Sequence, residues 1–487
     1  MQLQCGARSR LFLLGLLICT AVGCGKSAPS SAKPAPTHAD VALRVACADE
    51  RDRAIVQSQS ANWASQTGAT LTLVAASEPA DVRIIRVSEL PDLVGQLRSL
   101  PAPLRQDGGN YAWADLLPDY RQVLLRWDAD VYALPIVGEG SVCVYRTDRL
   151  AEKQLAPPDT WEAFATLAEQ FAQADGQPSL PPVPTDDAAL DRLYHEIVAP
   201  FVRRAVDQTS IKGRGFGVAE APAQFSFHYD LATAQPRLTR VPGFAVALQL
   251  LQRLQACRPP GTSATPAEAF RTGQAVLATV TLAELATLQR SAACAGKVGV
   301  VRIPGSRRVH LTDAPTEEPQ VNYVPYLGSQ ARLGVVAASS AHPDAAFALL
   351  AHLSGPQPAG KALSILSKPD WGAGPIRQTH LNPECQAAWD GYGLSPTTTL
   401  ALRETLSRQM ANAALINPAY CLRLPQAVER QAALVAAVRA ALAQPQTPVA
   451  PLLQTVEEKW RAVDAPLSES ARRAAVWQAV GLQAPSK

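Results

Sequence analysis

Past residue 40 the chain runs strand, helix, strand, strand, and that order constrains the fold more than any other feature of the sequence. "VALRVACA" (Val41 to Ala48) is an apolar run of strand length, and "DRAIVQSQSANWASQTG" follows it with helical polarity, closing at Gly68. "TLTLVAA" and "DVRIIRV" then supply two further strands. This alternation predicts a parallel sheet covered by helices. Open sheets of this kind bind ligands beyond the carboxyl ends of their strands, so the loops at Ala48 to Asp49 and Ser88 to Glu89 are the first places to look for a site.

The pattern resumes downstream. "VYALPIVGEGSVCVYRTDRL" (Val131 to Leu150) carries two strand-like runs split by "GEG". "PPDTWEAFATLAEQFAQADG" then reads as a helix over a second sheet, with Asp159 and Glu162 at capping-box spacing and Trp161, Phe164, Leu167 and Phe171 on one face. "GQPSLPPVPTDD" (Gly176 to Asp187) is expected to be a long exposed loop. Helical patterns cover Leu190 to Arg204 and Phe244 to Ala256, and "RLGVVAASSAHPDAAFALLAHLSGP" predicts one strand and one helix, with Pro343 in its first turn and Gly355 with Pro356 as its stop. The last stretch reads as mainly helical.

Ahead of the folded part lies "LFLLGLLICTAVGCGKSAPSSAKPAPT" (Leu11 to Thr37). Its apolar run follows Arg8 and Arg10 and is about half the roughly 20 residues that a membrane span requires, so it reads as the core of a signal peptide over residues 1–23. The small residues Ala21, Val22 and Gly23 before Cys24 resemble the lipobox of bacterial lipoproteins, and that resemblance implies that Cys24 is lipidated and becomes the mature N-terminus. Residues 24–40, rich in Ser, Ala and Pro, then form a flexible tether. A plain secretory signal is the alternative. "GCGKS" is not a phosphate loop, because Thr20 stands where the motif needs glycine.

At 47% hydrophobic and 18% charged, the 487 residues can form two ordinary domains. The net charge of +3 is spread without basic runs, which argues against nucleic acid as a partner. Six cysteines lie beyond the tether and allow 15 connectivities, of which pairing within one lobe favours Cys257 with Cys294 and Cys385 with Cys421. The alternative is that they are unpaired core residues. No C-x-x-C spacing or other metal-ligand pattern occurs, so no metal or cofactor is expected.

"YALPIVGEGSVCVYRTDRL" followed by "PPDTWEAF" resembles the segment of bacterial extracellular solute-binding proteins (family 1, substrate-binding lipoproteins of ABC transporters) where the chain crosses between lobes. "AFRTGQAVLATV", "VGVVRIPG", "YLGSQARLGVVAASSAHPDAAFALLAHLSGP" and "GAGPIRQTH" resemble later blocks in the family's order. The resemblance implies an α/β chain with the two-lobed periplasmic-binding-protein type II fold, its cleft flanked by hinge crossovers. Residues 41–140 with 325–367 would form lobe 1, and 141–324 with 368–487 lobe 2. It further implies an exported protein, facing the periplasm or cell surface, that captures a small solute, expected to be a carbohydrate, and hands it to permease subunits.

On that resemblance Glu139 matches a crossover carboxylate that contacts ligand, with Gly138 and Gly140 letting the backbone turn. Glu89 and Asp49 follow strands at the ligand loops. Tyr326 and Trp371 are the aromatic candidates for stacking on a sugar, and Arg377, in "PIR", is placed to hold a hydroxyl or carboxylate or to anchor its own loop. Thr281 stands where many members carry glycine or tryptophan. Each has a plain structural reading: exposed loop charge for the acids, core packing for the rings. No catalytic residue is assigned: His195 and Glu196 would need a second histidine at Ala199 to make the zinc motif, and no G-x-S-x-G occurs. A carboxylate-dependent exported hydrolase, and a sensor or scaffold on the same fold, remain alternatives.

Overall fold

A computed structural model describes residues 37–205, 224–260, 265–356, 366, 368–410 and 417–484. Cys24, its leader and the tether up to residue 36 lie outside the described residues. The first sheet has five strands, β1 (Ala42–Cys47), β2 (Thr70–Ala75), β3 (Val82–Arg86), β6 (Ala133–Val137) and β13 (Arg332–Val336), in the order β2-β1-β3-β13-β6. β1 pairs parallel with β2 and β3, as the strand-helix-strand order predicts. β13 pairs antiparallel with both β3 and β6, so the sheet is mixed. A short hairpin, β4 (Arg126–Trp127) with β5 (Asp130–Val131), precedes β6.

The second sheet has three antiparallel strands in the order β8-β7-β9, namely β7 (Ser141–Arg146), β8 (Leu277–Thr281) and β9 (Val298–Val301). A ribbon of β10 (Ser306–Val309) and β11 (Thr316–Asn322) follows. β12 (Tyr326–Leu327) pairs with β14 (Ala419–Tyr420). The two main sheets are the cores of two lobes, and the chain passes between them through Gly138–Gly140, through Gly328–Ala331 and near Gly374.

Local chemistry explains the helices. Glu50–Thr67 starts on Asp49, whose side chain accepts from Asp52 N, and ends on Gly68 in the left-handed region. Trp161–Asp175 buries Trp161, Phe164, Leu167 and Phe171, as its periodicity predicts, and packs against helix Pro242–Gln255. Its cap is Thr160, which accepts from Ala163 N, and not Asp159; Glu162 instead accepts from Ser306 Oγ. The Pro-rich segment also departs from expectation. Ser179 and Leu180 are buried because their N–H groups donate to Cys257 O, and Arg258 donates to Pro181 O at 2.6 Å, which folds that stretch into the second lobe.

The six described cysteines are all unpaired, so neither Cys257 with Cys294 nor Cys385 with Cys421 forms a disulfide. Cys257, Cys294 and Cys421 are built into the core, where burial pushes their thiol pKa values up and holds them as apolar packing groups. No helix among the described residues is long and apolar enough to cross a membrane.

Candidate functional site

A cleft with a volume of about 270 Å³ opens where the crossings meet the carboxyl ends of β1 and β3. Arg51, on the first turn after β1, lines the first lobe's wall with Arg86 and Ser88 at the end of β3. Arg332 opens β13 directly opposite Arg86 in the antiparallel register. The crossing segment Gly328, Ser329 and Gln330 forms the floor, and Gly372 closes one side. The second lobe contributes the first turns of helices Asp187–Val202 and Leu282–Arg290 through Asp186, Asp191, Arg192, Thr281 and Glu284.

On the second lobe's wall the Arg192 guanidinium is compensated by carboxylates. Arg192 pairs with Glu196 at 3.1 Å and with Glu284 at 3.7 Å. Arg332 is likewise compensated, by buried Asp52 at 2.9 Å and by Asp49 at 3.3 Å. Arg51 and Arg86 are different. Arg51 Nη1 donates to Trp371 O at 3.4 Å, while its Nη2 is buried with no hydrogen bond among the described residues and lies 3.8 Å from Asp52, a carboxylate already engaged by Arg332. Burial first, and then the neighbouring Arg332, lower the pKa of Arg51. Arg86 is exposed, and its guanidinium has no hydrogen-bond or ion-pair partner among the described residues. Ser329 Oγ on the floor is also buried, with no hydrogen-bond partner among the described residues.

Of the ligand contacts expected from the sequence, Asp49, Glu89, Glu139, Tyr326, Trp371 and Arg377, none lines this space, although Ser88 after β3 and Arg51, two residues beyond Asp49, do. Asp49 caps its helix and pairs with Arg332; burial pushes its carboxyl up, but the Asp52 N–H and Arg332 outweigh that and hold it below the usual range. Glu89 turns back to accept from Arg86 N at 2.8 Å. Tyr326 stacks on His195 at 4.5 Å and donates to Asp191 Oδ2 at 3.4 Å, so it stands behind the cleft and steadies a carboxylate that lines it. The Trp371 ring lies under the Lys368 ammonium at 4.3 Å, beside Gly372 at the cleft's edge. Arg377 is fully buried and donates to Ser354, Ala112 and Tyr111 carbonyls, which makes it the anchor of its own loop. Thr281 lines the cleft and forms a capping box with Glu284.

Glu139 is the hinge's internal fastener. It is 3% exposed, and its carboxylate accepts from Gly328 N at 2.5 Å and from Gln330 N at 3.3 Å, tying the first crossing to the second under the cleft floor. Burial raises its pKa from 4.5 to about 7, with those two N–H groups opposing the rise. The folded state therefore holds this proton more tightly than the unfolded chain does, so the contribution of Glu139 to stability is fullest below pH 4.5 and is lost as pH rises through 7. The shift corresponds to about 3 kcal/mol across that window. Denaturant unfolding at pH 5 and pH 8 is expected to show this fall in the wild type and to lose it in Glu139→Gln. A pH dependence identical in the two proteins would mean that Glu139 stays ionised throughout.

The arrangement is a polar, interlobe cavity with free cationic and hydroxyl groups and a hinge fastened beneath it, suited to closing on a small hydrogen-bonding solute. No curated protein matches the chain in sequence. Solved structures similar to it include maltose-bound MalE3 of T. maritima, at 17% identity and a TM-score of 0.60, the match covering 87% of this chain and 100% of that one. The sugar-binding protein MalE of Xanthomonas citri aligns at 16% identity and a TM-score of 0.61, over 88% of this chain and 100% of that one. An ABC transporter solute-binding protein of Agrobacterium vitis S4 with bound D-mannitol aligns at 17% identity and 0.57, over 88% and 99%. At these identities the likeness is one of fold, the two-lobed architecture described above. A family model described as bacterial extracellular solute-binding protein matches residues 44–390. With most of its length covered by that match, the chain belongs to the bacterial extracellular solute-binding protein family.

Proposed function

We propose that this protein is the lipid-anchored substrate-binding component of an ABC importer, capturing a small carbohydrate or polyol by closure of its cleft and presenting it to the permease subunits. The observation that carries this reading is the interlobe cavity itself, floored by a crossing segment and walled by polar groups, two of which, Arg51 Nη2 and Ser329 Oγ, have no hydrogen-bond partner among the described residues. Family membership makes the chain an exported protein. Maltose and D-mannitol, named with two of the similar structures, support the ligand class. Anchoring through Cys24 rests on the leader sequence, and the tether would give the lobes room to meet a transporter at the membrane surface.

A thermal-shift screen of the purified protein against mono-, di- and oligosaccharides and polyols tests it, with amino acids and polyamines as competing classes. A cognate solute at about 100 times its dissociation constant adds roughly 2.7 kcal/mol to the folded state, a visible rise in melting temperature. A saturable shift with a sugar or polyol is expected. A shift confined to amino acids or polyamines would replace the ligand class, and no shift from any solute would remove the capture role.

A further inference from the structure

The cleft differs from a neutral-sugar site in two respects. Among the described residues no aromatic ring lines it, so the flat apolar face on which a pyranose packs is missing. In its place the first lobe offers two guanidinium groups with unmet donors, Arg51 and Arg86, beside the buried Ser329 hydroxyl. Arg332 sits with them, and the nearest carboxylates, Asp49 and Asp52, are committed to it. A guanidinium presents a planar fork of donors that matches a carboxylate or phosphate, and a charge-assisted pair is worth roughly twice a neutral hydrogen bond. The opposite wall is acidic at Asp186 and Asp191, groups that accept from hydroxyls.

We infer that the solute is an acid: a sugar or polyol bearing a carboxylate or phosphate, whose oxyanion is held by Arg51 and Arg86 while its hydroxyls meet Gln330, Asp186 and Asp191. This rests on the solute-binding reading above and narrows it. The ligand supplies the negative charge that the first lobe's wall lacks, and closure moves the pair out of water into a lower-dielectric site, where its attraction is stronger. The volume, about 270 Å³, is at the small end of small-molecule sites, which favours a monosaccharide-sized acid.

Titration calorimetry with matched pairs tests the inference: D-glucose against D-glucuronate and D-glucose 6-phosphate, D-galactose against D-galacturonate, and glycerol against glycerol 3-phosphate, with maltose, D-mannitol and ribitol as neutral references. At least one acid is expected to bind about 100-fold or more tighter than its neutral partner, more weakly as salt rises. The arms separate carboxylate from phosphate. Arg86→Gln and Arg51→Gln are expected to weaken that acid by about 10-fold to 100-fold each, and Arg86→Gln, at an exposed side chain, to leave the melting temperature unchanged. Neutral members binding as tightly as the acids, or acid binding indifferent to both substitutions, would overturn the inference and leave the solute-binding reading standing. Silence from every compound here and in the wider screen would remove both.

Discussion

Replacing Arg377 by alanine is expected to cost about 3–5 kcal/mol of folding stability, a large part of the roughly 5–15 kcal/mol that holds a protein folded. The side chain is fully buried, and its guanidinium donates to Ser354 O at 2.8 and 3.0 Å, to Ala112 O at 3.0 Å and to Tyr111 O at 3.0 Å. It also pairs with Asp115 at 3.5 Å and lies over the Tyr111 ring at 4.9 Å. Truncation leaves these carbonyls facing a void, and Asp115 loses its cation. The loop that follows the third crossing is stitched to the first lobe here, through Leu117 N to Ile376 O and Gln378 N to Asp115 O, so the damage spreads along it. Arg377→Lys keeps the charge but not the planar fork and is expected to fall between. Urea unfolding measures both. A solute-contacting arginine would behave in the opposite way: its alanine variant would melt like the wild type and fail to bind.

The two loops beyond β1 and β3 were legible in the sequence because strand order alone fixes which ends of a parallel sheet gather ligands. Which side chains of those loops face the cleft was not. Asp49 and Glu89 attract notice as carboxylates at strand ends, yet both are spent on local backbone groups, Asp49 on Asp52 N and Glu89 on Arg86 N. A cap of this kind is a short-range signal, three residues apart, and is the reading the spacing supports best. Arg51, Arg86 and Arg332 carry no such signal. The last two become neighbours only because β13 returns from far along the chain to pair with β3, and tertiary pairing of that range is invisible in local patterning. Tyr326 shows the same limit: an aromatic beside a crossing reads as a stacking platform, whereas its ring is used against His195 and its hydroxyl against Asp191. The helix faces, by contrast, were legible wherever apolar residues recur at helical spacing, as at Trp161, Phe164, Leu167 and Phe171.

Gly374→Ala is expected to cost about 3 kcal/mol and to impair solute capture in the protein that still folds, because it drives apart two crossings that touch backbone to backbone. Gly374 N donates to Gly138 O at 2.9 Å, and the two residues form an isolated bridge across the hinge. A Cβ on Gly374 would lie 2.0 Å from Glu139 O and 2.2 Å from Glu139 C; one on Gly138 would lie 2.3 Å from Pro375 O. These are main-chain atoms that cannot swing aside as the end of a side chain can. The glycines beside Glu139 are therefore needed at Gly138 for close approach rather than for a turn, since Gly138 is not among the residues with positive φ. Displacing the first crossing also pulls the Glu139 carboxylate from Gly328 N and Gln330 N, and with them the cleft floor that Ser329 and Gln330 form. Gly95→Ala is the control: its Cβ would meet nothing within 4 Å, so its stability should match the wild type. Urea unfolding and solute affinity measured on the same preparations separate the two effects. Wild-type stability in Gly374→Ala would mean that the crossings part easily, and the hinge would then not be fastened at this contact.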